Sequence, residues 1–193
     1  MVYPLERSEQ KWSYADYLTW PEGERWELID GVAYAMSPAP GRRHQYVQAS
    51  LLSSIFLYLK GKPCQVYGSP FDVRLAEQGT TTDDSVYTVV QPDIVVVCDK
   101  EKLDDRGCNG APDLIIEITS PTTGKMDLTV KFDLYEKYGV KEYWIVHPEE
   151  KTVMVFKLLN GRYGVPERYA DTDKITVTLL GELVVDLAEI FGE

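Results

Sequence analysis

The chain has little cysteine and histidine, and it contains no long hydrophobic run. It has 3 cysteines and 2 histidines in 193 residues. Its apolar stretches are much shorter than the ~20 residues of a membrane helix. Its beginning lacks a basic region followed by an apolar stretch, so we expect neither a secretory signal nor a membrane partner. Because Cys64, Cys98 and Cys108 lack the spacing of metal ligands, reduced thiols in a cytoplasmic protein are the simplest interpretation.

Positive charge is also scarce, because 31 Asp and Glu outweigh 20 Lys and Arg and leave a net charge of −11. This excludes a general nucleic-acid coat protein, which would be basic. It does not exclude a nuclease, because metal-binding carboxylates add to the acidic count and DNA contact needs only a local basic surface. The sequence has no repeat, low-complexity tract or long linker, and we therefore predict a single domain over residues 1–193.

Hydrophobic patterning predicts one long helix and one hairpin in the first part of the chain. Apolar residues recur at spacings of three and four over residues 42–60, which predicts a helix that ends at Gly61. Asp30 and Gly31 stand between two apolar runs and predict the turn of a β-hairpin. Before this hairpin, Ser13 is a candidate N-cap for a short helix.

Runs rich in β-branched residues predict strands for much of the remaining chain. These runs cover residues 66–77, 86–99, 113–119, 141–148 and 151–158. We predict a charged loop for 100–112, a helix for about 127–138, and a strand pair with a short helix for the tail. The order of strand, helix and strand around 113–147 is typical of a crossover unit, so we predict an α/β fold around a mixed sheet.

Two carboxylates stand in or beside strongly apolar strands. Asp93 follows a proline at the start of one predicted strand, and Glu117 lies within the next. A charge removed from water needs a partner, and a divalent metal ion is the natural partner for two carboxylates. The simpler alternatives are a turn residue for Asp93 and an exposed edge-strand position for Glu117. The apolar residues on both sides of Glu117 favour the buried interpretation.

Four segments of the chain stand in an order and spacing typical of one group of proteins. They are WELIDGVAYAMSPAPGRRHQ, QPDIVVV, LIIEITSPTT and KFDLYEKYGVKEYWIV, and the matching region extends from Glu27 to about Phe156. These segments resemble the PD-(D/E)XK nuclease superfamily, and more closely a large bacterial family of restriction-endonuclease-like proteins. The resemblance implies a restriction-endonuclease-like α/β fold, which is a mixed β-sheet flanked by helices, here with an N-terminal hairpin extension.

The resemblance also implies roles for individual residues. Asp93 and Glu117 match the metal-binding carboxylates of the superfamily, for which the ion would be Mg²⁺ or, in its place, Mn²⁺. Glu27 would be a third metal ligand or would hold a water, and His44 would contact phosphate or support the site. Each has a structural alternative: Glu27 alternates with apolar neighbours like an exposed hairpin residue, and His44 lies on the helical stripe like a packed histidine.

The chain departs from the superfamily pattern at the lysine. The pattern places a lysine two residues after the second carboxylate, but this sequence has Thr119 there. In the superfamily the lysine can lie on a neighbouring helix, and Lys131 is the candidate, with Lys125 in reserve. The alternative for Lys131 is a surface ion pair with Asp127, which is four residues away on the same predicted helix.

These observations support a Mg²⁺-dependent DNA endonuclease as the first hypothesis, and the resemblance adds the expectation of a homodimer. The alternative is a catalytically inactive nucleic-acid- or protein-binding module on the same fold, which the absent motif lysine and the acidic charge favour. RNA is a third option, because a carboxylate pair suits any phosphodiester. Two basic pairs, Arg42 with Arg43 and Lys60 with Lys62, are either solvated helix ends or phosphate contacts.

Overall fold

Local sequence signals determine where the helices begin and end. The computed structural model describes residues 11–21, 23–36, 39–76, 82–120 and 126–192. Its helices are α1 (Tyr14–Tyr17), α2 (Arg42–Leu59), α3 (Phe132–Tyr138) and α4 (Leu187–Phe191). Ser13 caps α1 in a capping box with Asp16, and Gly139 ends α3 in the left-handed conformation, as the sequence predicts. No helix in these ranges is long and apolar enough to cross a bilayer.

Strands make up most of the remaining structure, and the predicted hairpin at Asp30 and Gly31 is present. In chain order they are β1 (Trp26–Ile29), β2 (Val32–Ala35), β3 (Gln65–Gly68), β4 (Val73–Arg74), β5 (Val89–Val90), β6 (Ile94–Val97), β7 (Leu103–Asp104), β8 (Gly107–Asn109), β9 (Leu114–Ile118), β10 (Glu142–His147), β11 (Thr152–Leu159), β12 (Arg162–Tyr163), β13 (Glu167–Ala170), β14 (Lys174–Val177) and β15 (Leu183–Asp186).

The strands form a seven-stranded main sheet, a six-stranded second sheet and a terminal strand pair. The main sheet has the order β12-β11-β10-β9-β6-β3, and β13 also pairs with β11. Its β9 and β10 are parallel and are joined through α3, whereas β6 and β9 are antiparallel. The second sheet has the order β2-β1-β5-β4-β8-β7 and contains the N-terminal hairpin. The predicted mixed sheet with flanking helices and a hairpin extension is therefore confirmed.

The main sheet is covered on both faces. Alternate residues of β6 belong to different apolar clusters, as the period of a strand requires. Ile94 and Val96 lie in the cluster that contains the buried stripe of α2, and Val95 and Val97 lie in the cluster that contains α3. The core is therefore two layers on opposite sides of one sheet, and the second sheet adds to the layer on the α3 side.

Three predicted elements differ in detail. The run over 86–99 is two strands in different sheets, β5 and β6, because Pro92 has no amide to continue a ladder. The predicted loop over 100–112 contains a short antiparallel hairpin of β7 and β8. The helix predicted from about residue 127 starts with a π-helical turn, Asp127–Lys131, which runs directly into α3.

The expectation of three reduced thiols is wrong. Gln65 pairs with Val97 in antiparallel register, so Cys64 and Cys98 are the next pair along these strands, and they form a disulfide. The sequence separation of 34 residues gives no local signal of this pairing, because only the strand register brings the two together. Cys108 is a free thiol, and its burial raises its pKa to about 12.

Gly107 is a position where the backbone requires glycine. Its φ is +129°, and a Cβ built there would lie 2.2 Å from the carbonyl oxygen of Asp72, which accepts a hydrogen bond from the Cys108 amide. We expect Gly107→Ala to lower the free energy of unfolding by at least the ~1–3 kcal/mol typical of such backbone strain. Gly164, which has open space around its Cβ position, is the matched control. Urea denaturation should leave Gly164→Ala within about 0.5 kcal/mol of wild type; equal losses in both variants would contradict the steric argument.

Candidate functional site

The register of two neighbouring strands brings the two predicted carboxylates together. In the antiparallel pair of β6 and β9, Ile94 lies opposite Ile116, so one step further Asp93 lies opposite Glu117. Oδ2 of Asp93 accepts a hydrogen bond of 2.8 Å from the Ile118 amide, which ties its side chain to the neighbouring strand. Both carboxylates therefore lie at the same end of this strand pair, as expected from the sequence.

Lys131 lies between two carboxylates from different sheets. Its Nζ is 3.0 Å from Oε1 of Glu117 on β9 and 3.0 Å from Oε1 of Glu27 on β1. Lys131 is only 6% exposed, which places it in the interior rather than in a surface ion pair. It is the last residue of the π-helical turn, a rare conformation that occurs frequently at functional sites. Lys125, the reserve candidate, lies outside the described residues.

Thr119, which stands at the pattern's lysine position, faces a different neighbour. Its hydroxyl lies 2.9 Å from Nδ1 of His147 and 3.2 Å from the carbonyl of Val146, both on β10. The cation at the second carboxylate is thus supplied by the helical segment and not by β9. This arrangement matches the migrated position that the superfamily resemblance suggests for the lysine.

Glu27 is buried and is not the exposed hairpin residue of the alternative interpretation. It is 5% exposed, and its Oε1 accepts a hydrogen bond of 2.9 Å from the Gln91 amide as well as the contact from Lys131. The Gln91 side chain continues the network by donating from Nε2 to Oδ1 of Asp72 at 2.9 Å. The role of Glu27 as a third metal ligand stays a prediction, and its Oε1 is engaged by two protein donors.

His44 lies in the first turn of α2 and faces the first carboxylate. Its Nε2 is 3.2 Å from Oδ2 of Asp93. Its Nδ1 is buried and has no hydrogen-bond partner among the residues that the structure describes. Buried polar atoms are rarely left without a partner. A ligand that offers a donor or acceptor at this place would complete the hydrogen bonding of His44.

All five predicted site residues line one cavity of about 450 Å³. They are Glu27, His44, Asp93, Glu117 and Lys131. Sequence reasoning missed several neighbours. Arg25, Gln48, Gln91 and Asp127 also line the cavity. Tyr135 donates a hydrogen bond of 2.7 Å to Oε1 of Glu117, and its spacing of four residues from Lys131 on a helical segment would have indicated a shared face.

The cluster contains more negative than positive charge. Burial raises the pKa of Glu117 well above its ordinary value, Lys131 opposes this, and the nearby Asp127, Asp93 and Glu27 raise it further. Burial would lower the pKa of Lys131, but the carboxylates of Glu117 and Glu27 outweigh it and raise that pKa. The ammonium therefore keeps its proton, and the carboxylates around it compete for one cation. A divalent cation would relieve their repulsion.

The donor set suits Mg²⁺ better than a metal that needs a full protein cage. In the described parts of the chain, no group of three or more His, Cys, Asp or Glu is placed to hold a metal ion. Asp93 accepts the Ile118 hydrogen bond through Oδ2, and Glu117 accepts those of Lys131 and Tyr135 through Oε1. The other oxygens, Oδ1 of Asp93 and Oε2 of Glu117, accept no hydrogen bond from the described residues. Mg²⁺ commonly takes one or two protein carboxylates and completes its shell with waters and substrate phosphate. The residues present therefore fit such an ion.

The fold and the family agree with this arrangement. The structure superimposes on the crystal structure of a putative nuclease of the DUF820 group from Anabaena variabilis with a TM-score of 0.71 over 93% of this chain and 97% of that chain. At 22% identity this match shows a shared restriction-endonuclease-like fold. The model of the Uma2 family, described as "putative restriction endonuclease", matches residues 14–188. The chain belongs to the Uma2 family.

One sequence relative matches part of the chain. It is the uncharacterized protein slr1290 of Synechocystis sp., which is 31% identical over 128 residues. The match covers 65% of this chain and 62% of that protein, so it spans less than two thirds of either.

The raised pKa of Glu117 makes folding stability depend on pH. Its pKa rises from 4.5 to about 8, so the folded protein binds a proton that the unfolded chain releases between these values. This contribution to stability is complete below about pH 4.5 and is lost as the pH rises through about 8. We expect Glu117→Gln to become more stable relative to wild type between pH 5 and pH 8, by up to about 1.4 kcal/mol for each step of one in pH. Urea titrations without metal would measure this, and a difference that is constant with pH would contradict it.

Proposed function

We propose that this protein is a Mg²⁺-dependent DNA endonuclease that hydrolyses phosphodiester bonds. The observation that carries the proposal is the position of Lys131, 3.0 Å from Glu117 on the strand next to Asp93. Two carboxylates and one lysine are the residue types that the superfamily uses for this chemistry. The cavity around them is lined by polar side chains that can bind a phosphate, including Arg25 and His44.

Asp93 and Glu117 would hold the ion through Oδ1 and Oε2, the oxygens that take no hydrogen bond from the described residues. When bound, Mg²⁺, or Mn²⁺ in its place, polarises the phosphodiester and lowers the pKa of a water. The Lys131 ammonium stabilises the negative charge that develops on the scissile phosphate. His44 orients Asp93 through Nε2 and lines the cavity in which the phosphate would bind. Tyr135 holds the Glu117 carboxylate in place.

The catalytically inactive binding module is the second candidate. The sequence supports it through Thr119, which stands where the pattern has lysine, and through the acidic total charge. The contact of Lys131 with Glu117 weakens the first of these arguments, because the cation is present from another element. The two candidates differ in measurable properties: an inactive module would bind its nucleic-acid or protein partner without Mg²⁺ and would cut no nucleic acid.

The metal ligands can be tested with isosteric variants. We expect Asp93→Asn and Glu117→Gln to weaken Mg²⁺ and Mn²⁺ binding by more than the ~10–100-fold that loss of an outer partner causes, and to abolish cleavage. Calorimetric titration of the metal and cleavage of duplex DNA and RNA, side by side, measure both effects. Glu142→Gln is the matched control, because Glu142 is 3% exposed and does not line the cavity. Metal-dependent cleavage by both site variants at the wild-type rate would refute the assignment.

We also propose that the enzyme acts as a homodimer, because a duplex presents two strands and the fold has many dimeric members. Sedimentation velocity over a range of protein concentrations, with and without DNA, measures the assembly state. We expect a dimer at the concentrations at which both strands are cut. A species that is monomeric throughout while it makes double-strand breaks would contradict this proposal.

A further inference from the structure

A second cavity, of about 200 Å³, lies at the start of α2, and three of its six lining residues are cations. Arg42, Arg43 and Lys151 line it together with Tyr46, Val47 and Phe191. The cations come from two elements: the arginines open α2, and Lys151 lies in the turn between β10 and β11. In a chain of net charge −11, three cations around one cavity are a local exception.

This basic cavity and the candidate active-site cavity lie at the same end of α2. His44, which follows Arg43 directly, lines the active-site cavity, and so do Gly41 and Gln48. Residues 42–48 rise about 9 Å along the helix axis at ~1.5 Å each. This corresponds to the axial rise of two to three nucleotides at ~3.4 Å each along one strand of a duplex. Because successive residues of a helix do not face each other, the two cavities lie on different faces of these turns, and a duplex that contacts both would have to cross the start of α2.

Two of these cations have loose and exposed carboxylate partners. Arg43 lies 3.7 Å from Glu149, whose side chain is 75% exposed, and Lys151 lies 3.7 Å from Asp171, whose side chain is 42% exposed. Exposed ion pairs of this kind contribute little, because water and salt screen them. A phosphate could therefore replace either carboxylate at small cost.

From these observations we propose that Arg42, Arg43 and Lys151 form a binding site for the DNA backbone at the end of α2 that carries His44. The partner is duplex DNA, and its contacts here are with phosphate and carry no sequence information. The inference rests on the proposed function, because it assigns how the substrate of that site is held. It also separates the two basic pairs of the sequence, since Lys60 and Lys62 lie at the other end of α2, roughly 24 Å or more from His44 at ~1.5 Å per residue.

The matched pair at the two ends of α2 gives a direct test. Arg42→Ala/Arg43→Ala and Lys60→Ala/Lys62→Ala each remove two positive charges and change the net charge from −11 to −13. Binding of a fluorescent DNA duplex is measured by anisotropy in metal-free buffer over a series of salt concentrations. We expect the arginine variant to bind at least tenfold more weakly at low salt. Its slope of log affinity against log salt should become shallower by about 1.8, from ~0.9 per lost phosphate contact.

The controls separate this inference from the proposed function. The lysine variant should keep the wild-type slope of log affinity against log salt. Lys151→Ala should make this slope shallower by about 0.9, the value for one phosphate contact. All variants should keep the wild-type affinity for Mg²⁺, measured by calorimetry. Wild-type slopes in the arginine variant, with wild type still cutting DNA, would overturn the inference and leave the proposed function standing. Wild type that neither binds nor cuts DNA would overturn both. A change of slope that occurs with duplex RNA but not with duplex DNA would also overturn the inference.

Discussion

The fold and the candidate site depend on the same interaction, the Lys131 ammonium held between two buried carboxylates. It joins three parts of the molecule: the π-helical turn before α3, β9 of the main sheet through Glu117, and β1 of the second sheet through Glu27. Removal of one partner from such a buried pair typically costs about 3–5 kcal/mol, because it leaves a charge without compensation. The lysine that the proposed chemistry needs is therefore also a residue that holds the two sheets together.

Backbone groups hold the carboxylates of this cluster from the other side. The Ile118 amide donates to Asp93 and the Gln91 amide donates to Glu27, so both side chains are positioned by strands rather than by flexible neighbours. The Tyr135 hydroxyl, on the helix that follows Lys131, donates to Glu117 beside the Lys131 ammonium. A site supported by strands and a buried helix has little freedom to reorganise, which is the condition for electrostatic catalysis.

The sequence predicts what depends on local pattern and misses what depends on register. The long helix, the hairpin and the convergence of Asp93 with Glu117 follow from periodicity and from strands adjacent in order. The disulfide between Cys64 and Cys98 and the network around Gln91 depend on which residues face each other across distant segments, which no single segment encodes. The β7–β8 hairpin is local, but the sequence pattern misses it because its segment is charged and contains glycine. Lys131 is only partly predictable. The sequence identifies it as a candidate but also allows a surface ion pair with Asp127, and only its burial in the folded chain favours the position inside the site.

The charge distribution explains how an acidic chain can suit an anionic substrate. Glu27, Glu117 and Asp127 lie around Lys131, and Asp93 lies near Glu117, so this cluster repels phosphate and attracts a dication. Burial is the main cause of the raised pKa of Glu117, and the repulsion between the carboxylates raises that pKa further. Affinity for a DNA backbone would then come from cations outside the cluster, and Arg42 and Arg43 lie on another face of the helix turn that carries His44. On this view the metal is needed to offset the negative charge of the acidic cluster when phosphate binds, and the cations at the start of α2 attract the DNA backbone. The total charge of −11 is compatible with both, because attraction is decided over a Debye length of about 10 Å and not over the whole molecule.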